Sequence, residues 1–365
     1  LSKDLAVDEG FPVYSGYRIT GYSKEYLYND PMLIVVARGV GGTGDVKISP
    51  PNAWITNLSI VLELDDSKVD KQYLCYLLNR ENLKDKLNSG AAQAQITIDS
   101  LAKYRIRLPP IKQQKKTAEF IAKYDDLIEN NRRRIQLLEE SARLLYQEWF
   151  VHLRFPGHEK VKMIDGVPDG WEESTLGSLA SVQSGYAFKS KDWLDAGNPV
   201  IKIKNITGDG TVDIADCQCV DDNVAEKAQK FKLEEGDFLI AMTGATVGKV
   251  GIMPRSNQPY YLNQRVGKFE FVGETSREFV FCLANTKHFR NQIENLAGGA
   301  AQPNISGKQI ESIKVLRPSD KLLSFFSEQT HNLFEQRQLL VESNKKLAQA
   351  RDLLLPKLMS GELSV

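Results

Sequence analysis

The chain has 365 residues, 42% hydrophobic and 26% charged, with 47 Lys and Arg against 47 Asp and Glu. That is material for two to three domains of about 150 residues, and it excludes a disordered chain, a disulfide mini-protein and a collagen-like repeat. A formal charge of zero gives no overall field toward DNA or acidic lipid, so nucleic-acid binding must come from local patches or a partner's charge. No apolar run approaches the ~18 residues of a membrane span; the best, Met32–Ala37, suits one buried strand. Four cysteines are too few for a stapled framework, and Cys217 and Cys219 have no His or second Cys pair nearby. Reduced thiols in a cytoplasmic protein are expected, not a zinc site. No signal peptide opens the chain, which starts at Leu1 without a Met, so its first residues are expected to be missing.

In chain order, Met32–Val36 and Ser59–Leu64 read as strands bounded by Gly, Pro or Asn. An amphipathic helix is expected near Lys71–Leu87, then a loop, Gly90-Ala-Ala-Gln-Ala-Gln-Ile-Thr97, and a last short strand before Pro109-Pro110. Beyond them glycine and proline vanish until Pro156. Ile121, Tyr124, Ile128, Asn131, Ile135, Leu138, Ala142, Leu145 and Trp149 alternate spacings of three and four, the seam of a helix that needs another helix. Arg154 to Gly170 reads as a connecting loop, and Trp171 opens a second globule. Its strands are expected at Phe238–Met242 and Val266–Phe271 and its helix near Arg277–Asn295. A second seam follows, with Phe334, Val341, Ala348 and Leu355 at sevens, widened by Leu333, Leu340, Leu347 and Leu354. Arg337, Asn344 and Arg351 make it more polar. An isolated pair with Asn131 and Arg337 inside would be marginal, so further helices from a partner are expected on the outer faces.

The second half repeats the first. Gly299-Ala-Ala-Gln-Pro-Asn-Ile-Ser306 follows Gly90–Thr97 at an offset of 209, which holds from Leu101 and Ile310 to Pro109 and Pro318. Tyr73–Asn79 matches Phe279–Asn285, Phe11-Pro-Val13 resembles Asn198-Pro-Val200, and the two long seams align at 206. Carrying Phe11 onto Asn198 places the counterpart of Trp171 before residue 1. The first globule is therefore expected to be N-terminally incomplete, without its opening strand and first loop.

Several motifs suggest chemistry and fail on context. Gly39-Val-Gly-Gly-Thr-Gly44 fits a dinucleotide fingerprint, with Glu63 near the ribose position, but Pro50 and Pro51 forbid the helix that would hold the pyrophosphate. A tight turn between strands fits better. Ser49-Pro-Pro-Asn52 faintly resembles the Asn/Asp/Ser-Pro-Pro-aromatic motif of amino-methyltransferases, but Asn52 cannot stack on a flipped base. There is no nucleophile elbow, zinc-protease helix or Walker A motif, and His152, His158, His288 and His331 are scattered. What remains is polar readout chemistry on loops. The first copy offers Arg38, Thr43, Lys47, Asn57, Gln93 and Gln95. The second offers Lys202, Lys204, Asn205, Thr243, Lys249, Asn263, Gln264, Arg265, Gln302 and Asn304. Arg reads guanine in two-point contact, Asn or Gln reads adenine, and Lys and backbone N–H groups hold phosphates. The glycine turns 41–44 and 244–248 allow close approach to a phosphate.

Three stretches carry a resemblance. Leu144-Leu-Tyr-Gln-Glu-Trp-Phe-Val-His-Leu-Arg-Phe-Pro-Gly-His-Glu159 resembles the central region of the specificity (S) subunits of type I restriction–modification enzymes. Asp165-Gly-Val-Pro-Asp-Gly-Trp-Glu-Glu-Ser-Thr-Leu-Gly177 is similar to the start of their second target-recognition domain, and Leu354-Leu-Pro-Lys-Leu-Met-Ser-Gly-Glu-Leu363 to their C-terminal end. The resemblance implies an α+β fold: two strand-rich target-recognition domains joined by two long antiparallel coiled-coil helices, a pseudo-twofold internal repeat. The expected boundaries are a first recognition domain at 1–110, a central spacer helix at 111–153 and a connecting loop at 154–170. A second recognition domain follows at 171–318, then a C-terminal spacer helix and tail at 319–365. The resemblance also implies a non-catalytic reader of an interrupted DNA site that binds no cofactor. Its implied partners are double-stranded DNA, two modification subunits that use S-adenosylmethionine to methylate adenine N6, and restriction subunits that translocate and cleave. Two rival classes, a self-sufficient methyltransferase and a protein scaffold, would be told apart by cofactor binding to the isolated chain and by sequence-specific protection of DNA.

Overall fold

The computed structural model describes residues 3–16, 18–39, 42–87, 95–208, 210–272, 277–298 and 303–364. The chain divides into two compact units, Leu1–Ile128 with Leu347–Val365, and Glu129–Lys346. A central helix, Ile111–Tyr146, and a C-terminal helix, Asp320–Ser360, each contribute residues to both units.

Unit 1 has a three-stranded antiparallel sheet with Leu33–Val36 between Val46–Ile48 and Ser59–Leu62. Its second sheet orders Ala6–Val7, Arg18–Ser23, Phe11–Ser15 and Trp54–Ile55, the last pair parallel, Val13 beside Trp54. Unit 2 repeats the plan. Phe238–Ala241 lies between Val250–Ile252 and Val266–Phe271, and Asn198–Ile201 runs parallel to Tyr260–Leu262, Val200 beside Tyr261. Leu33 to Val36 and Leu239 to Ala241 are buried on both faces, which explains why each reads as an unbroken apolar run.

Three expectations need correction. Each single helix foreseen after the sheet is a pair: Lys71–Arg80 with Leu83–Leu87, and Arg277–Ala284 with Lys287–Leu296. Asn82 breaks the first pair at φ 48°, and Thr286 breaks the second by capping Phe289 N–H at 3.1 Å. Among the described residues the closing strand exists only in unit 2, where Lys314–Arg317 pairs with Glu172–Thr175. Residues 105–108 form no strand, because no described segment of unit 1 pairs with them. Likewise, nothing described in unit 1 stands for the sheet strand Ala180–Ser184.

The helix seams explain the long periodic runs. Ile121, Ile128, Ala142 and Trp149 are buried, while Ile135, Leu138 and Leu145 are half-buried. On the C-terminal helix the most buried line runs through Leu323, Phe326, Thr330, Arg337, Leu340 and Leu358. Phe334, Val341, Ala348 and Leu355 flank it half-buried, so the expected sevens mark the shoulder of the stripe. Within unit 2 the helices run antiparallel: Glu139 meets Arg337, and Asn131 Nδ2 donates to Asn344 Oδ1 at 2.9 Å. Arg337 is 1% exposed, with Nε donating to Glu139 Oε1 at 2.5 Å and Nη2 to the Gly210 carbonyl at 2.6 Å. Within unit 1, Arg351 Nη1 donates to Asp125 Oδ1 at 2.6 Å, and Asp125 Oδ2 accepts from Tyr76 Oη at 2.5 Å. That network ties the globule's first helix to both long helices.

In unit 2 the central helix ends in a π turn, Gln147–Val151, in which His152 N–H reaches back to Gln147 O at 2.8 Å. Trp149 and Phe150 enter an aromatic cluster there: Phe150 lies 4.8 Å from Phe279, 5.0 Å from Phe326 and 5.9 Å from Trp171, centroid to centroid. Phe155 stands 5.4 Å from Trp171. The most distinctive stretch of the sequence is thus the plug that fastens the central helix to the second globule. No helix among the described residues is long and apolar enough to cross a membrane.

Breaking a buried ion pair leaves a stranded charge, a loss of about 3–5 kcal/mol at full burial. The Glu139 side chain is 27% exposed, so Glu139→Ala should cost about 3 kcal/mol, near the lower end of that range. The expected result is a lower urea midpoint, largely restored by adding Arg337→Met; an unchanged midpoint in the single variant would contradict the role of the pair.

Candidate nucleic-acid interface

One backbone frame is built twice, and its hydrogen bonds fix which positions correspond. In unit 1, Val36 N–H donates to Asp45 O and Gly44 N–H to Val36 O, both at 2.9 Å. In unit 2, Ala241 N–H donates to Lys249 O at 2.8 Å and Gly248 N–H to Ala241 O at 2.9 Å. Next along the strand, Ala37 N–H bonds Leu58 O and Ile96 N–H bonds Ala37 O, as Met242 bonds Arg265 O and Ile305 bonds Met242 O. Bridges then join Arg38 to Gln95 and Thr243 to Asn304. Position 38 therefore answers to 243, 45 to 249, 57 to 264, 58 to 265 and 95 to 304.

Each glycine turn lies between two antiparallel strands, Leu33–Val36 with Val46–Ile48 and Phe238–Ala241 with Val250–Ile252. Gly44 has φ 94° and Gly248 φ 80°. A Cβ on Gly44 would sit 2.7 Å from Lys84 N, and one on Gly248 would sit 3.1 Å from Ile293 Cγ2. The turn in each copy packs on the second helix of its pair, where only glycine combines that approach with that torsion.

In unit 1 the exposed Arg38, Asn57 and Gln95 line one open groove of about 730 Å³, with Tyr28, Thr56 and Thr97 beside them. None of the three has a side-chain hydrogen bond or ion pair to a described residue. Thr43 differs: it is 6% exposed, and its hydroxyl donates to Gly39 O at 3.1 Å. Lys47 lies half-buried on its strand opposite Ile34. Gln93 falls outside the described residues.

In unit 2, Gln264, Arg265, Lys249 and Asn304 are exposed, and their side chains make no hydrogen bond or ion pair to a described residue. Three other candidates are buried and hold their own loops. Asn205 Nδ2 donates to Asp213 O at 2.9 Å and to Asp216 O at 3.1 Å, Thr243 Oγ1 donates to Pro303 O at 3.1 Å, and Asn263 Oδ1 accepts from Arg265 N–H at 3.1 Å. These side chains shape the loops that carry them. Lys204 pairs with Asp216 at 2.8 Å. Lys202 donates to Gln218 Oε1 at 2.7 Å and sits 4.3 Å from the Trp193 ring centroid, a contact that sequence spacing does not reveal. Burial lowers the Lys202 pKa, and the nearby charges of Lys204 and Arg265 lower it further, which places three cations in one neighbourhood. Gln302 falls outside the described residues.

Other chemistry is thin. Burial pushes the Cys75 and Cys217 thiols up to about 11 and Cys282 higher still, which leaves unreactive protonated thiols. Among the described residues no group of three or more His, Cys, Asp or Glu could hold a metal ion.

Residues 2–140 and 168–321 match the family model for the type I restriction modification DNA specificity domain. The chain belongs to that family. It is similar to the type I restriction enzyme MjaVIII specificity subunit of Methanocaldococcus jannaschii, 23% identical over 99% of this chain and 89% of the relative. The MjaIX specificity subunit of the same organism is 26% identical over 86% and 74%. The HindI specificity subunit of Haemophilus influenzae is 23% identical over 74% and 71%. A crystal structure of a type I S subunit from M. genitalium shares the fold, with a TM-score of 0.62 and 20% identity over 98% of this chain and 91% of that one. The two family matches fall on the two copies of the repeat, and the mixed helix and strand content with two long helices is the expected α+β architecture.

The split between loop-holding and uncommitted side chains is testable by stability alone. Asn205→Ala strands buried groups and should cost about 1–3 kcal/mol. Gln264→Ala, at an exposed position, should stay within about 0.5 kcal/mol of the parent. Equal losses in chemical denaturation would erase the distinction.

Proposed function

We propose that this chain reads an interrupted DNA site, one half with each unit, and delivers it to partner subunits that do the chemistry. DNA sequence recognition in a type I restriction–modification system follows from its family, and as a specificity chain it is itself non-catalytic. The observation that carries the bipartite reading is the duplicated frame: the same strands, glycine turn and bridge present different uncommitted polar side chains in each copy. Such a chain has two readers of similar geometry and unlike specificity.

The long helices are the proposed ruler. Ile121 to Trp149 is 28 steps, about 42 Å at 1.5 Å per residue, somewhat longer than one ~34–36 Å turn of DNA. Half-site centres about ten to thirteen base pairs apart follow from the 3.4 Å rise. The outer helix faces are proposed to dock two modification subunits, which would carry S-adenosylmethionine and methylate adenine N6, with restriction subunits joining that core. Leu137 and Leu144 on the central helix and Val151 in the π turn that ends it support this: they recur at sevens and are 66%, 48% and 57% exposed, an exposed apolar stripe. Base flipping belongs to the modification subunit, and this chain holds the duplex in place for it.

Co-expression with a modification subunit and mapping of methylated adenines should give two short words separated by unread bases; a continuous palindrome would contradict the reading. One added heptad in each long helix should lengthen the gap. With no net charge, the chain alone should bind DNA weakly and lose binding as salt rises; nanomolar specific binding at physiological salt would contradict the need for partners.

A further inference from the structure

We infer that one arginine per unit reads a guanine, and that the two arginines occupy different places in the shared frame: Arg38 in unit 1 and Arg265 in unit 2. This rests on the reading proposed above and assigns its residues. The frame equates position 38 with 243 and position 58 with 265. At 243 the second copy has a buried Thr whose hydroxyl is bonded to Pro303 O, and at 58 the first copy has an apolar Leu. Each copy thus closes the position at which the other carries its arginine.

Both guanidinium groups are exposed and have no hydrogen bond or ion pair to a described residue. Their five donors form a planar fork that matches guanine O6 and N7. Two of the three remaining positions carry amides in both copies, Asn57 and Gln95 against Gln264 and Asn304, again exposed and uncommitted, and the third sets Asp45 against Lys249. An amide matches adenine N6 and N7. Each half-site is therefore assigned one guanine and at least one adenine, with the guanine displaced between the two halves because strand end and loop present their arginines from different points. Unit 1 gathers its three residues on a single groove, and unit 2 sets Arg265 and Asn304 on either side of the strand end at Met242.

The test is to co-express the full chain with a modification subunit and map the methylated sites of the parent and of Arg38→Ala, Arg265→Ala, Arg265→Lys, Gln95→Ala and Asn304→Ala. Arg38→Ala should relax discrimination at one guanine of one half-site by about tenfold or more. Arg265→Ala and Arg265→Lys should do the same at one guanine of the other half, because Lys keeps the charge and loses the fork. The two amide variants should each relax one adenine. An interrupted parental site that no variant alters overturns this assignment and leaves the bipartite reading standing. Arg265→Lys behaving as the parent, with Arg265→Ala weakening all sequences equally and reducing the salt slope by about one, makes Arg265 a phosphate contact and overturns the assignment for unit 2. A continuous parental site overturns the bipartite reading and this assignment together.

Discussion

A charged side chain inside a helix seam sets the register of unit 2. Arg337 is too costly to bury without Glu139 and the Gly210 carbonyl, so sliding the helices by one turn would strand its charge. Asn131 and Asn344 impose the same condition two turns away in the central helix. Leu and Ile alone would hold the pair equally well in several registers. The Gly210 contact adds a tie to the globule: the backbone there takes φ 78°, and a Cβ would meet Arg337 at 3.0 Å and Phe281 at 3.1 Å. In unit 1, Asp125 plays a comparable part by joining Arg351 on one helix to Tyr76 on the globule. The proposed spacing of two DNA words would need this kind of fixed seam.

On the proposed reading, specificity and stability fall to different atoms within each unit. The frame is made by backbone hydrogen bonds, glycine torsions and buried polar side chains such as Thr43, Asn205, Thr243 and Asn263. The side chains that remain uncommitted sit on its rim. Changes at the rim leave the frame intact, so two copies can keep one architecture while carrying unlike polar groups. That separation accounts for the weak sequence likeness between the copies beside the close match of their pairing patterns.

Much of this was legible in the sequence because it is periodic or repeated. The two seams, the offsets that relate the copies and the strands Leu33–Val36 and Phe238–Ala241 all follow from spacing and from apolar runs. The helix breaks at Asn82 and Thr286 were hidden, since an apolar stripe continues across a short break. The missing strand at 105–108 was hidden too, because a strand depends on its partner, and the partner lies outside its own sequence. Site residues were least legible. Asn205 and Gln264 look alike as loop amides, and only burial and hydrogen bonds divide them. Trp193 gave no signal, as its role comes from Lys202 folding over it.

The most direct test of the account is a hydroxyl-radical footprint of the assembled complex on DNA carrying its methylation site. Two patches of base-dependent protection, with freely substitutable sequence between them, are predicted. One unbroken patch whose every base pair matters would contradict it.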